Sequence, residues 1–211
     1  SYSAKPKQTL YFTGYDENLQ IWTQGQGRYT SNWLPSFDDV NEKIVFNLNI
    51  SYDPNLTAIS NGIHESNGLY APLSNSNSIR NFRMQKPMSS YLAMLAIGNF
   101  AKQTTTSKSG TPLEFYIDKS DVSKFESTYR YSIQMFDYLE QEIGVKYPWG
   151  IYRQVPVRDF LYAGMENTTS TIFSQDFVVD SIGFNDRNYV NVNAHELAHQ
   201  WFGNFITAQS G

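Results

Sequence analysis

The hydrophobic period of this chain changes once, near Lys119, and that change limits the folds open to it. In KIVFNLNISY (43–52), Ile44, Phe46, Leu48 and Ile50 alternate with Val45, Asn47, Asn49 and Ser51. Alternation by twos puts one set of side chains on each face of an extended chain, as in a half-buried strand. Similar runs are TLYFTG (9–14), LQIWTQ (19–24), LTAIS (56–60), IRNFRM (79–84), LAMLAIGNF (92–100) and PLEFYI (112–117). Clusters such as YDPN, SNG and LSNSNS separate them and supply turn geometry. An antiparallel β unit, a sandwich or a large bent sheet, is therefore expected over residues 1–118.

Beyond Lys119, Val122, Phe125, Tyr129, Ile133, Phe136, Leu139 and Ile143 recur at threes and fours, giving one apolar face of a helix about six turns long. Ser123 with Glu126 offers a capping box, and Gly144 a stop. After YPWG, the segments 151–157 and 159–173 read as strands, and a second helix is expected over 188–205. The fold class is α+β: a β unit over 1–118, then an α+β unit over 119–211.

Composition narrows the partners. The formal net charge is −4, and no Lys/Arg cluster forms the basic stripe of a nucleic-acid binder. The longest apolar run, around Tyr91–Ile97, is far shorter than the ~20 residues a bilayer span needs, and no signal-peptide pattern opens the chain. A soluble protein is expected, of unspecified compartment. With no Cys, disulfides and thiolate metal sites are excluded. Asn55 and Asn167 head glycosylation-acceptor patterns, which chance supplies readily in a chain rich in Asn, Ser and Thr.

The chemistry concentrates in NVNAHELAHQWFGNF (191–205). On a helix each residue advances about 100°, so His195 and His199 lie ~40° apart and can point at one ion. Glu196, turned about 100° from His195, suits a group that takes a proton from an attacking water. Two of the chain's three histidines fall in this H-E-x-x-H frame, on a segment whose other face, Ala194, Leu197, Ala198 and Trp201, is apolar. The bland alternative is a helix carrying two histidines on a polar face. His64, in NGIHESNG, reads as a surface histidine in a turn. A third ligand in the spacing H-E-x-x-H-x-x-G-x-x-H is ruled out, because Phe202 and Phe205 stand where that motif has Gly and His.

HELAHQWFGN (195–204), with YAGMEN (162–167) upstream, resembles the M1 family of zinc aminopeptidases, the aminopeptidase N and leukotriene A4 hydrolase group. The resemblance implies the later part of an N-terminal β domain followed by the first part of a thermolysin-like catalytic domain. It implies one zinc ion held by His195 and His199, with Glu196 as general base and acid. It places Ala163, Gly164, Met165, Glu166 and Asn167 on an edge strand, where Glu166 binds the substrate's free α-amino group and the Gly164 and Met165 backbone holds the peptide. TQGQGRYTSNWLPSFDD (23–39) looks like the segment of the family's β domain that reaches the active site, which carries an amine-binding role to Gln26 and marks Gln24 for inspection. Taken alone, that segment also reads as a polar loop between strands. The family's third ligand, a glutamate, would fall at position 218, and its oxyanion-stabilising tyrosine lies further downstream.

The implied function is zinc-dependent release of N-terminal residues from peptides with a free amino terminus, in the intact parent. Two alternatives stand beside it. One is a catalytically incomplete fragment or binding module, inactive for want of the third ligand and prone to self-association through surface exposed by truncation. The other is a bifunctional aminopeptidase and epoxide hydrolase.

Overall fold

Where apolar residues alternate, the backbone is extended and paired with antiparallel neighbours. The computed structural model describes residues 2–3, 5–65 and 76–208. The SNG turn at 66–68 lies outside them, as does the first half of the LSNSNS cluster. The chain divides into two units, Ser1–Asn99 with Thr207–Gly211, and Phe100–Ile206.

In the first unit, β1 (Leu10–Thr13), β2 (Gln20–Thr23), β4 (Thr57–Ser60) and β7 (Leu95–Gly98) form one antiparallel sheet in the order β1-β2-β7-β4. A second sheet contains β3 (Asn47–Tyr52), β5 (Ile63–Glu65) and β6 (Ser78–Arg83) in the order β3-β6-β5. Ala96 of β7 faces Trp22 on one side and Ile59 on the other, and all three are buried. Tyr11 stacks on Trp22 at 4.5 Å. The loop before β7 is fastened by Asn61, whose amide donates to the Leu92 carbonyl at 2.9 Å and accepts from the Met94 N–H at 2.7 Å.

Two expectations shift here. The strand expected from Lys43 begins at Asn47. Ile44 makes only an isolated bridge to Met88 and is 43% exposed, so Phe46 is the first buried residue of that alternation. His64 sits on β5, opposite Phe82, rather than in a turn; it is exposed, with Nδ1 3.1 Å from the Asn81 carbonyl.

The second unit holds a five-stranded mixed sheet in the order β11-β12-β10-β9-β8. Its strands are β8 (Phe100–Thr106), β9 (Pro112–Asp118), β10 (Tyr152–Val157), β11 (Gly164–Met165) and β12 (Ser170–Ser174). β10 runs parallel to both β9 and β12, while β8 and β11 are antiparallel to their neighbours. Every residue of β10 is buried, as expected of a central parallel strand with both faces covered. Because the β8–β9 hairpin joins this sheet through β9, the units divide between Asn99 and Phe100, not at 118.

Between β9 and β10 lie α1 (Phe125–Tyr129) and α2 (Ser132–Ile143), preceded by a 3-10 turn over Lys119–Lys124. One six-turn helix is thus replaced by three pieces. The expected Ser123–Glu126 capping box is absent, since Glu126 instead holds Arg130 through two 2.9 Å hydrogen bonds. The helical region is opened earlier by Asp118, whose carboxylate accepts from the Ser120 N–H at 3.0 Å. Gly144 does end α2, in the left-handed conformation at φ 69°, with its N–H on the Glu140 carbonyl. Phe136 of α2 is fully buried against Tyr147, Tyr152 and Trp201. Among the described residues no helix is long and apolar enough to cross a membrane.

The sheet also encloses an ion pair. Arg153 of β10, 2% exposed, donates Nε to Glu114 of β9 at 2.6 Å, and Lys102 of β8 reaches the other carboxylate oxygen at 2.9 Å. Burial alone would raise the Glu114 carboxyl, but Arg153 and Lys102 outweigh it and hold it at about 2. A carboxyl whose folded-state pKa is depressed adds stability above its unfolded value of ~4.5, and that stability is lost as pH falls towards 2. Glu114→Gln should therefore lower the unfolding free energy by roughly 3–5 kcal/mol near neutrality, by removing the carboxylate charge that faces the buried Arg153 guanidinium. Denaturant titrations of both proteins should show this gap narrowing as pH falls from 5 towards 3.

Candidate active site

The helix α3 (Val190–His199) opens where the Asn188 side chain accepts from the Val190 N–H at 3.2 Å. Helical bonding ends at His199, short of the expected 205. The cause is Gly203, at φ 138°, which turns the chain so that the Asn204 N–H returns to the His199 carbonyl at 3.0 Å. A side chain at Gly203 would meet His199 Nδ1 at 3.0 Å, so this turn needs glycine for both conformation and space.

The turn orients an imidazole. His199 Nδ1 lies 3.0 Å from the Phe202 carbonyl, which directs Nε2 the other way, to 3.1 Å from His195 Nε2. The two rings are nearly perpendicular, with centroids 4.6 Å apart. An ion about 2.0–2.1 Å from each nitrogen would subtend roughly 100° between them, close to a tetrahedral angle. The pair fits half of a zinc shell. Among the described residues no group of three or more His, Cys, Asp or Glu side chains gathers around one point.

Beneath the histidines the helix is unexpectedly polar. Leu197 and Trp201 are buried, as the pattern implied, but Ala194 and Ala198 are only half-buried. The remaining buried positions are Asn193, Glu196 and Gln200. Asn193 receives a short hydrogen bond from Gln154 of β10 and donates to Ser132 of α2 at 2.8 Å. A helix can bury amides only where each finds a partner, and β10 supplies one.

Glu196 differs, being 5% exposed with an Oε2 that has no hydrogen-bond partner among the described residues. Burial, and secondarily the negative field of Glu166, push its carboxyl up to about 8. The two converging imidazole nitrogens are by themselves a donor pair that suits zinc.

The YAGMEN segment comes to the same place. Only Gly164 and Met165 are strand residues, paired with Phe173 and Ile172, and their strand β11 ends the sheet order. Ala163 is exposed, its carbonyl accepting from Ser174 N–H at 3.0 Å; Glu166 is half-buried, and Asn167 is buried. Gly164 lies directly against Glu196: an added Cβ would stand 2.5 Å from Oε1 and 2.7 Å from Cγ. The strand and the acidic residue of the helix are therefore in van der Waals contact only because position 164 has no side chain.

Within one unit the structure thus pairs His195 with His199, and sets Glu196 against Gly164 and in the field of Glu166. Gln24 and Gln26 lie in the other unit. Gln24 is 6% exposed and its Oε1 accepts from the Gln26 N–H at 2.9 Å, which makes it part of its own turn, while Gln26 is exposed. Sequence reasoning passed over Gln200 and Asn204, both fully buried and bonded to the Glu166 carbonyl at 3.1 and 2.6 Å. Their only signal was a spacing of seven from Asn193 to Gln200, which repeats one face of the helix.

The profile described as Peptidase family M1 domain matches residues 127–210, and that described as Peptidase M1 N-terminal domain matches residues 3–92. The chain belongs to the M1 peptidase family. It is similar to glutamyl aminopeptidase of Sus scrofa, 28% identical over 95% of this chain and 22% of that protein. Aminopeptidase N of Mus musculus is 28% identical over 93% of this chain and 21% of its own length. Glutamyl aminopeptidase of Rattus norvegicus is 29% identical, over 82% and 18%. This M1 chain thus spans about a fifth of the length of these relatives.

The contact at position 164 is open to a direct check. Gly164→Ala should displace the Glu196 carboxylate by roughly 1 Å, the distance needed to restore ordinary carbon–oxygen separation. Overpacking of this kind costs about 1–3 kcal/mol. A crystal structure of the variant reads the displacement, and thermal unfolding reads the cost; an unmoved carboxylate would remove the contact from the account of the site.

Proposed function

We propose that the protein carrying this chain is a zinc-dependent aminopeptidase that releases the N-terminal residue of peptides. The observation that supports this best is the contact between Glu196, a buried carboxylate with one oxygen unpaired among the described residues, and Gly164 of the strand that runs directly into Glu166. A proton-transfer group one strand residue away from an amine-binding carboxylate measures out a substrate with little chain before its scissile bond.

In this reading His195 and His199 hold the metal, with the Phe202 carbonyl fixing the ring of His199. When bound, zinc supplies polarisation of the carbonyl and a lowered pKa for water, the chemistry that makes amide hydrolysis accessible at neutral pH. Glu196 takes the proton from the attacking water at its carboxylate and returns it to the leaving amine. Glu166 accepts charge-assisted hydrogen bonds from the substrate's ammonium group. The free edge of β11 pairs with the extended peptide and aligns its first bond with Glu196.

Two imidazoles are fewer than the three protein ligands usual for catalytic zinc. On that ground we propose that the 211 residues alone hold zinc weakly and hydrolyse poorly.

In the natural protein containing these residues, Glu196→Gln should abolish hydrolysis, by at least ~100-fold, while metal analysis still finds zinc. His195→Ala should lose the metal as well. Free-amine substrates should be cleaved and N-acetylated ones refused, and Glu166→Ala should erase much of that distinction. A natural protein that cleaves blocked and free peptides equally would exclude the amine-anchor assignment.

A further inference from the structure

The Glu166 carbonyl accepts two side-chain amides from the segment that follows the second histidine. Gln200 Nε2 donates to it at 3.1 Å and Asn204 Nδ2 at 2.6 Å. Gln200 Nε2 also reaches the Asn167 carbonyl at 3.3 Å. On its other side, Gln200 Oε1 accepts from the Thr169 N–H at 3.0 Å and from the Tyr147 hydroxyl at 3.3 Å. The amide is 0% exposed and uses both donors and both acceptor directions that a primary amide has. Thr169 stands at φ 68°, a conformation rare outside glycine, where its N–H meets Gln200. The Gln200 main chain is held in turn by the Trp149 indole, which donates to its carbonyl at 3.1 Å.

We propose that Gln200 and Asn204 are positioning residues that lock the Glu166 main chain to the histidine-bearing turn, and so set the distance between the amine anchor and the reacting bond. This deepens the reading of Glu166 as amine anchor and rests on it. The polarity of the amides carries the argument. The Glu166 carbonyl takes its side-chain donors from Gln200 and Asn204, the Asn167 carbonyl shares Gln200 with the Ser170 N–H, and the Thr169 N–H needs an acceptor; a primary amide meets the donor and acceptor needs from one buried side chain. A residue serving bulk stability alone would not need that orientation. Gln200 adjoins His199 in sequence and Asn204 bonds back to it through its own N–H, so movement of the histidine turn is transmitted to Glu166.

Gln200→Glu keeps size and both acceptor bonds but turns two donations into carbonyl–carboxylate repulsions. Asn204→Asp removes one donor and leaves Gln200 in place, so it carries the test where Gln200→Glu fails to fold. In the natural protein containing these residues, the probes are an aminoacyl p-nitroanilide and its N-acetylated counterpart, with zinc measured by metal analysis. The expected result for each variant is a KM for the free-amine probe raised roughly tenfold, the scale of one or two lost buried hydrogen bonds. The preference over the acetylated probe should fall in proportion, with kcat and zinc content little changed. Simple destabilisation would lower kcat for both probes alike and leave that preference intact. Native KM and preference in both variants, together with loss of preference in Glu166→Ala, overturn the positioning role and leave the anchor standing. An unchanged Glu166→Ala overturns the anchor itself, and this inference with it.

Discussion

A short helix must lie on a buried parallel strand while holding two imidazoles outward, and the rest of the second unit is arranged around that requirement. Ten residues of helix are marginal in isolation, so α3 owes its stability to what it rests on. The buried Leu197 and Trp201 contribute the apolar part, Trp201 against Phe136 and Tyr147. The polar part comes from Asn193 on Gln154 and from Gln200 on the 166–169 turn. Buried amides are directional where packed methyl groups are not, which gives the helix one azimuth about its axis and therefore one direction for the histidine rings.

Glu196 brings an ionisable group into this layer, and its Oε2 finds no protein donor among the described residues. Its neighbours are Gly164, whose missing side chain admits it, and the field of Glu166, which opposes its charge. Local stability is given up at the position where proton transfer is proposed, while Asn193 and Gln200 on either side of it are held by hydrogen bonds. That division between a well-bonded frame and one strained acid is how a site keeps a reactive group without loosening the fold.

The residues that share one helix turn were legible in the sequence. His195 and His199 stand together because a 3.6-residue period says so, and Gly144 ends α2 because a left-handed residue is needed there. Relations between distant segments were not. The period changes at Lys119, yet the compact unit begins at Phe100, because membership of a sheet is decided by which strand pairs with β10. A capping box at Ser123 was plausible until Arg130 claimed Glu126 and Asp118 took over the opening turn. The polar underside of α3 was read as apolar since Ala194 and Ala198 pointed that way, and a single sequence cannot say that a partner amide waits on β10.

The parallel arrangement around β10 has a consequence for assembly. β9 and β12 flank it from opposite sides, and the first of them is separated from it by the whole helical crossover. Such non-local pairing is slow to form, and the segment bearing the imidazoles is later in the chain than every strand it must lean on. During synthesis the two imidazoles therefore acquire their shared aim only once the sheet beneath them has closed.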